Sequence, residues 1–223
     1  MPLRIDRAEQ DKTLTDTRVF VSASIPDPER WDGAFDALEI TDAVVSLTRT
    51  FLTAGARLVT AAHPTIAPLL LYVAAELPDV SRERIIVYQS RLFTDVLPPA
   101  TRRFEEEGFG VMVWTPAVVG EDPDPANRTQ SLDIMRRQML SEEQPQAAVF
   151  IGGMGGIRDE WELFGEICAG RPRYAIGYPG GESRSLAETQ LTDDVALGDS
   201  LSSSRIYPSV WRQVLEDLRS KLL

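Results

Sequence analysis

One cysteine, one histidine and no long apolar run set the first limits on this 223-residue chain. The lone Cys168 permits no intramolecular disulfide, and with His63 as the single imidazole it cannot build the usual zinc site. No metal and no bound cofactor is therefore expected, although a carboxylate-only magnesium site stays open. No apolar stretch approaches the roughly 20 residues that a membrane helix needs. The opening MPLRIDRAEQDKTLTDT lacks the apolar core of a secretion signal, so the expectation is a soluble, cytoplasmic protein. Basic residues are also in deficit, 23 against 34 acidic ones, for a net charge of -11. That field repels duplex nucleic acid and anionic membranes, yet glycine-loop amides and a few arginines can still hold a small anion locally.

What is present is an ordinary globular balance, 43% hydrophobic and 26% charged. Six short apolar runs read as buried strands: RVFVS at 18–22, RLVTA at 57–61, RIIVY at 84–88, GVMVW at 110–114, AAVFI at 147–151 and RYAIG at 173–177. Helical spacing lies between them. Ile40, Val44, Leu47 and Phe51 form one stripe ended by Gly55, and Thr65 is placed to cap a second helix. Residues 69–75, LLLYVAA, are apolar nearly all round, which predicts either burial on two sides or a subunit contact in a homo-oligomer. Further helices are expected near 99–107, at 128–142 through Leu132, Met135 and Met139, and at 157–169. The polar stretch ESRSLAETQLTDDVALGDSLSSSR reads as a mobile lid or, on balance, a surface linker. A terminal helix anchored by Trp211, Leu215, Leu218 and Leu222 follows it. Alternating strands and helices predict an α/β fold, a doubly wound, mainly parallel sheet with helices on both faces. It would form one domain over 18–223 behind an extension at 1–17.

Such sheets bind ligands at the carboxyl ends of their strands, which confines the search to a few loops. In AVFIGGMGGIRDEWELF a strand runs through Gly152, Gly153, Met154, Gly155 and Gly156 into a helix. That order of parts suits a phosphate, because glycine admits close backbone approach and a helix start offers free amides. A tight turn using glycine for geometry alone is the plainer alternative. Ile157, Trp161, Phe164 and Cys168 mark the buried face of the helix, Glu160 flanks it and Asp159 points away. An acid in a first helical turn is also ordinary capping chemistry. Ser22, Ala23 and Ser24 end the first strand in SASIP, where hydroxyls fit phosphate or ribose and Ala23 leaves room. His63 follows the second strand on the same edge, as either a ligand contact or a structural residue. There is no G-x-S-x-G nucleophile elbow.

At these residues the sequence resembles the SLOG superfamily, the Rossmann-like group that includes the LOG proteins and the DprA nucleotide-binding fold. GGMGGIRDE is similar to the LOG pattern G-G-x-G-T-x-x-E: Gly152, Gly153 and Gly155 match, Gly156 replaces the threonine, and Asp159 stands at the glutamate position with Glu160 next to it. With SASIP and AAHPTIAPL, the run is more similar to the branch associated with TIR and SIR2 defence systems. The resemblance implies binding or sensing of a nucleotide-derived small molecule, an NAD- or ADP-ribose-type or cyclic nucleotide signal. Its alternative implication is a LOG-like nucleotide N-glycosidase, in which Glu160 and Asp159 would be the catalytic acids. It also implies a homo-oligomer.

Overall fold

The computed structural model describes residues 14–77, 82–97, 99–108, 110–123 and 129–222. Six strands form one sheet: β1 (Arg18–Ser24), β2 (Arg57–Ala61), β3 (Ile85–Ser90), β4 (Val111–Thr115), β5 (Ala147–Gly152) and β6 (Arg173–Ile176). All pairs are parallel, in the order β4-β3-β2-β1-β5-β6. The expected doubly wound α/β fold is therefore the observed one. The chain adds β2, β3 and β4 outward on one side of β1, then returns to add β5 and β6 on the other. This places the topological switch point between β1 and β5, the crevice where such sheets take ligands.

Alternate residues of each strand supply two cores. Val19, Val21, Leu58, Val87, Val149 and Ile151 face α1 (Ala37–Thr53), α2 (Ala67–Glu76), α7 (Val195–Ser203) and α8 (Tyr207–Leu222). Phe20, Val59, Tyr88 and Phe150 face α4 (Gln130–Glu143), α5 (Gly155–Ile167) and α6 (Glu182–Thr189). The remaining helix, α3 (Pro99–Glu106), packs on α2. Burial on both faces is why the strands read as continuous apolar runs instead of alternating ones.

Several expectations change. The 182–205 stretch is neither a lid nor a linker, because it forms α6 and α7, docked through Leu186 and Ala187 and through Leu197 and Leu201. Gln190, just past α6, hydrogen-bonds both peptide groups of Ala175 on the outer edge of β6, at 2.8 and 2.9 Å. Thr65 does not cap α2: the helix begins after Ile66, and Thr65 turns its hydroxyl to His63 instead. Residues 69–75 bury Leu70, Leu71 and Val73 within the chain's own core, leaving Tyr72 58% exposed. The terminal helix is anchored by Trp211, Leu215 and Leu218 as expected, whereas Leu222 is 45% exposed. Residues 1–13 of the expected extension lie outside the described residues. Leu14 and Thr17 belong to the domain, since the Leu14 N–H donates to Ala54 O and Thr17 O accepts from Arg57. Among the described residues no helix is long and apolar enough to cross a membrane, and no group of three or more His, Cys, Asp or Glu could hold a metal ion.

Candidate functional site

The glycine loop divides its labour. Gly152 and Gly153 have φ of +65° and +69°, the left-handed region that favours glycine. Their amides are already used inside the protein: Gly152 N–H donates to Ser183 Oγ at 2.7 Å, and Gly153 N–H donates to Ser24 O at 2.7 Å. The carbonyl of Gly153 accepts from Glu182 N–H at 2.8 Å. These two glycines therefore fold the turn. Gly155 and Gly156 instead form the first turn of α5, two residues earlier than the sequence suggests. Met154 precedes them, half-buried, and no side chain caps this helix start. The neighbouring α4 differs. Thr129 caps its start, and Glu121 accepts from Gln130 N–H, Ser131 N–H and Ser131 Oγ. The Ser131 hydroxyl foremost holds the Glu121 carboxyl below its ordinary range. Of the two helix starts, α5 is the one left open to an anion.

Because α5 begins at Gly155, neither Asp159 nor Glu160 lies in its first turn, and capping does not account for either. Glu160 is buried and points inward. Its Oε2 accepts from Ser22 Oγ at 2.5 Å, and its Oε1 accepts from Arg136 Nε at 2.8 Å. A buried carboxylate with both oxygens bonded, one to a guanidinium, is a satisfied charge. Asp159 sits half-buried on the next face, beside a groove of about 320 Å³ between α4 and α5. Asp133, Asp159, Glu162 and Glu166 line that groove with only Arg136 and Arg137, and Arg137 is bonded to Asp133 and Glu166. Four acids against two bases make it a poor place for a nucleotide.

Arg136 ties the parts together. A Cβ on Gly156 would meet its Nη2 at 3.2 Å, so the guanidinium lies against the open first turn of α5. Sequence reading passed over this residue. The available signal was its position four residues after Leu132, among the apolar positions of α4. Arg158 also went unnoticed; it ion-pairs with the buried Glu182 and ties α5 to α6.

Of the sequence-derived candidates, the structure gathers Ser22, Glu160 and the α5 first turn at the switch point. Ser24 adjoins them, its carbonyl bonded to Gly153. Ala23 is not brought there: it faces the opposite core with Val21, Ile40 and Ile151. His63 lies in the loop after β2, half-buried, within the field of Glu160.

Burial lowers the His63 imidazole from its ordinary 6.5, against the opposing pull of Glu160. The folded protein thus takes up this proton less readily than the unfolded chain. The resulting stability is complete above about pH 6.5 and is lost as pH falls through the lower folded value. The urea midpoint is expected to drop between pH 7 and 5, and His63→Gln to flatten that drop. An unaltered slope in the variant would assign the titration to another group.

Comparison with known proteins bears on this arrangement. The SLOG cluster3 family matches residues 30–215. No curated protein matches. Among solved structures, the X-ray structure of TM1055, a structural-genomics target, superposes with a TM-score of 0.56 at 14% identity. It covers 90% of this chain and 99% of that one, a likeness of fold.

Proposed function

Since this chain belongs to the SLOG cluster3 family, we propose that it binds a nucleotide-derived signal of the NAD or ADP-ribose type, with its phosphate on the first turn of α5. The observation that carries this reading is the meeting, at the switch point, of an uncapped helix start with the Arg136 guanidinium. Met154, Gly155 and Gly156 supply the amides. Ser22, Ser24 and His63 would line the way toward the sugar and base, and the resemblance to the branch associated with TIR and SIR2 defence systems suits a sensing role in a bacterial stress or defence response.

Gly156→Asp tests the phosphate seat with little disturbance of the fold, since the 3.2 Å contact of its Cβ is with the tip of the Arg136 side chain, which has to give by a few tenths of an ångström. Its backbone is helical, and an acid in a first turn is favourable to the helix. The new carboxylate would occupy the anion's place and engage Arg136. Calorimetry with ADP-ribose, cyclic ADP-ribose isomers and nucleoside monophosphates should show affinity falling about thirtyfold, roughly 2 kcal/mol, with thermal stability kept. If no member of the panel binds wild type, or the variant binds equally well, the seat is wrong.

The second reading, hydrolysis of a nucleotide N-glycosidic bond, draws on the buried Glu160 carboxylate. A fixed negative charge near the sugar stabilises the positive charge that develops as the base departs. Chromatography of the same samples decides between the two. A sensor leaves the panel intact, whereas steady release of base that disappears in Glu160→Gln identifies a hydrolase.

A further inference from the structure

His63 heads a four-residue turn, His63-Pro64-Thr65-Ile66, that fixes more than its position. Its backbone N–H donates to Ala61 O at 2.7 Å, and its carbonyl accepts from Ile66 and Ala67, so the residue is held at both ends. The ring is held as well. Nδ1 lies 3.0 Å from Thr65 Oγ1 and 3.4 Å from Thr65 N. A backbone N–H can only donate, so Nδ1 accepts, and in the neutral ring the proton must then reside on Nε2. Nothing among the described residues bonds Nε2, nor is it among the buried polar atoms left without a partner. Among the described residues the second nitrogen is therefore a donor with its capacity unspent.

Its place in the fold indicates what it meets. His63 follows β2, while the first turn of α5 follows β5, and β1 lies between them. Two strand spacings separate the two elements, about 10 Å. That exceeds the reach from a phosphate to its own ribose and approaches the distance from a nucleotide's phosphate to its base. The geometry points to His63 as the residue that reads the base: a neutral imidazole, its proton fixed on Nε2 by the Thr65 turn, donating to an acceptor atom on the heterocycle. This rests on the phosphate seat proposed above. A site built so selects a base that offers a ring nitrogen or carbonyl at that point and disfavours one that presents a donor.

As the only histidine, His63 gives a single imidazole signal pair, so long-range ¹⁵N NMR of the whole protein at neutral pH reads its tautomer without assignment. The expected spectrum is that of a neutral ring protonated at Nε2. Protonation at Nδ1 or a charged ring overturns the inference, whatever the ligand. Saturating ADP-ribose should then move the Nε2 signal, while ribose 5-phosphate, which has the phosphate and no base, should leave it in place. Equal movement with both probes overturns the base assignment. His63→Ala should weaken ADP-ribose about tenfold, and His63→Gln, which carries an N–H donor near the Nε2 position, should restore most of the loss, whereas His63→Asn should not. ADP-ribose that binds with His63 unmoved sinks the inference and leaves the proposed function standing. Failure of ADP-ribose to bind at all sinks the proposed function and the base contact together, with the free-protein tautomer still decided by its own spectrum.

Discussion

Gly152→Ala is expected to destabilise the fold by roughly 3 kcal/mol, although it adds one methyl group. Residue 152 has φ +65°, where an L residue is strained, and the added Cβ would lie 2.6 Å from Ser24 O and 2.6 Å from Ile40 Cδ1. The isoleucine tip can turn aside. The backbone carbonyl cannot, because it receives Gly153 N–H in the hydrogen bond that joins the β1 and β5 ends. Moving residue 152 would also stretch its bond to Ser183 Oγ, itself bonded to Ile176 O. Three strand ends would shift together. Urea unfolding should show a lower midpoint at unchanged slope. A midpoint within experimental error of wild type would mean that the turn relaxes freely, and the packing account would be wrong. Gly153 is bound by the same limits, with φ +69° and Ile157 Cγ1 2.4 Å from an added Cβ. Substitution there would remove ligand binding by distorting the turn, which is why Gly156 is the cleaner probe of charge.

Arg136→Met should cost about 3 kcal/mol at neutral pH, for a different reason. The side chains of Arg136 and Glu160 are 18% and 10% exposed, so removing the guanidinium strands a buried carboxylate with Ser22 as its remaining partner. Removing both charges is far less harmful than removing one, because the desolvation cost of the pair disappears with it. The double variant Arg136→Met, Glu160→Gln is expected to recover most of the stability while binding no nucleotide. A double-mutant cycle on urea midpoints measures the coupling, which should exceed about 1 kcal/mol. Simple additivity of the two losses would show that the ion pair does not carry the energy assigned to it.

Much of the architecture was legible because strand and helix signals coincide with burial. Phe20 and Val21, or Phe150 and Ile151, read as apolar neighbours since the sheet is covered on both faces. The carboxyl edge was singled out by the alternation of strands and helices alone. Helical phase likewise separated Glu160 from Asp159. It failed where stability comes from the tertiary context. Helices α6 and α7 each offer few apolar residues, and they form because the sheet receives those residues; only Asp194, which accepts from Ala196 and Leu197, was a local start signal for α7. Arg136 was missed because its meaning depends on Glu160, 24 positions away on another helix. The two tasks of the glycine loop were equally hidden, since a count of glycines does not say where the following helix begins.

The Gln190 amide, by occupying both peptide groups of Ala175, acts as a one-residue imitation of a further strand at that point of the β6 border. At the opposite border, among the described residues, β4 carries no strand beyond it. A strand added along β6 would have to displace the Gln190 amide from Ala175, a competition that the amide does not offer at β4. The two borders of this sheet are thus unequal for strand addition, since the β6 side holds an internal competitor at Ala175.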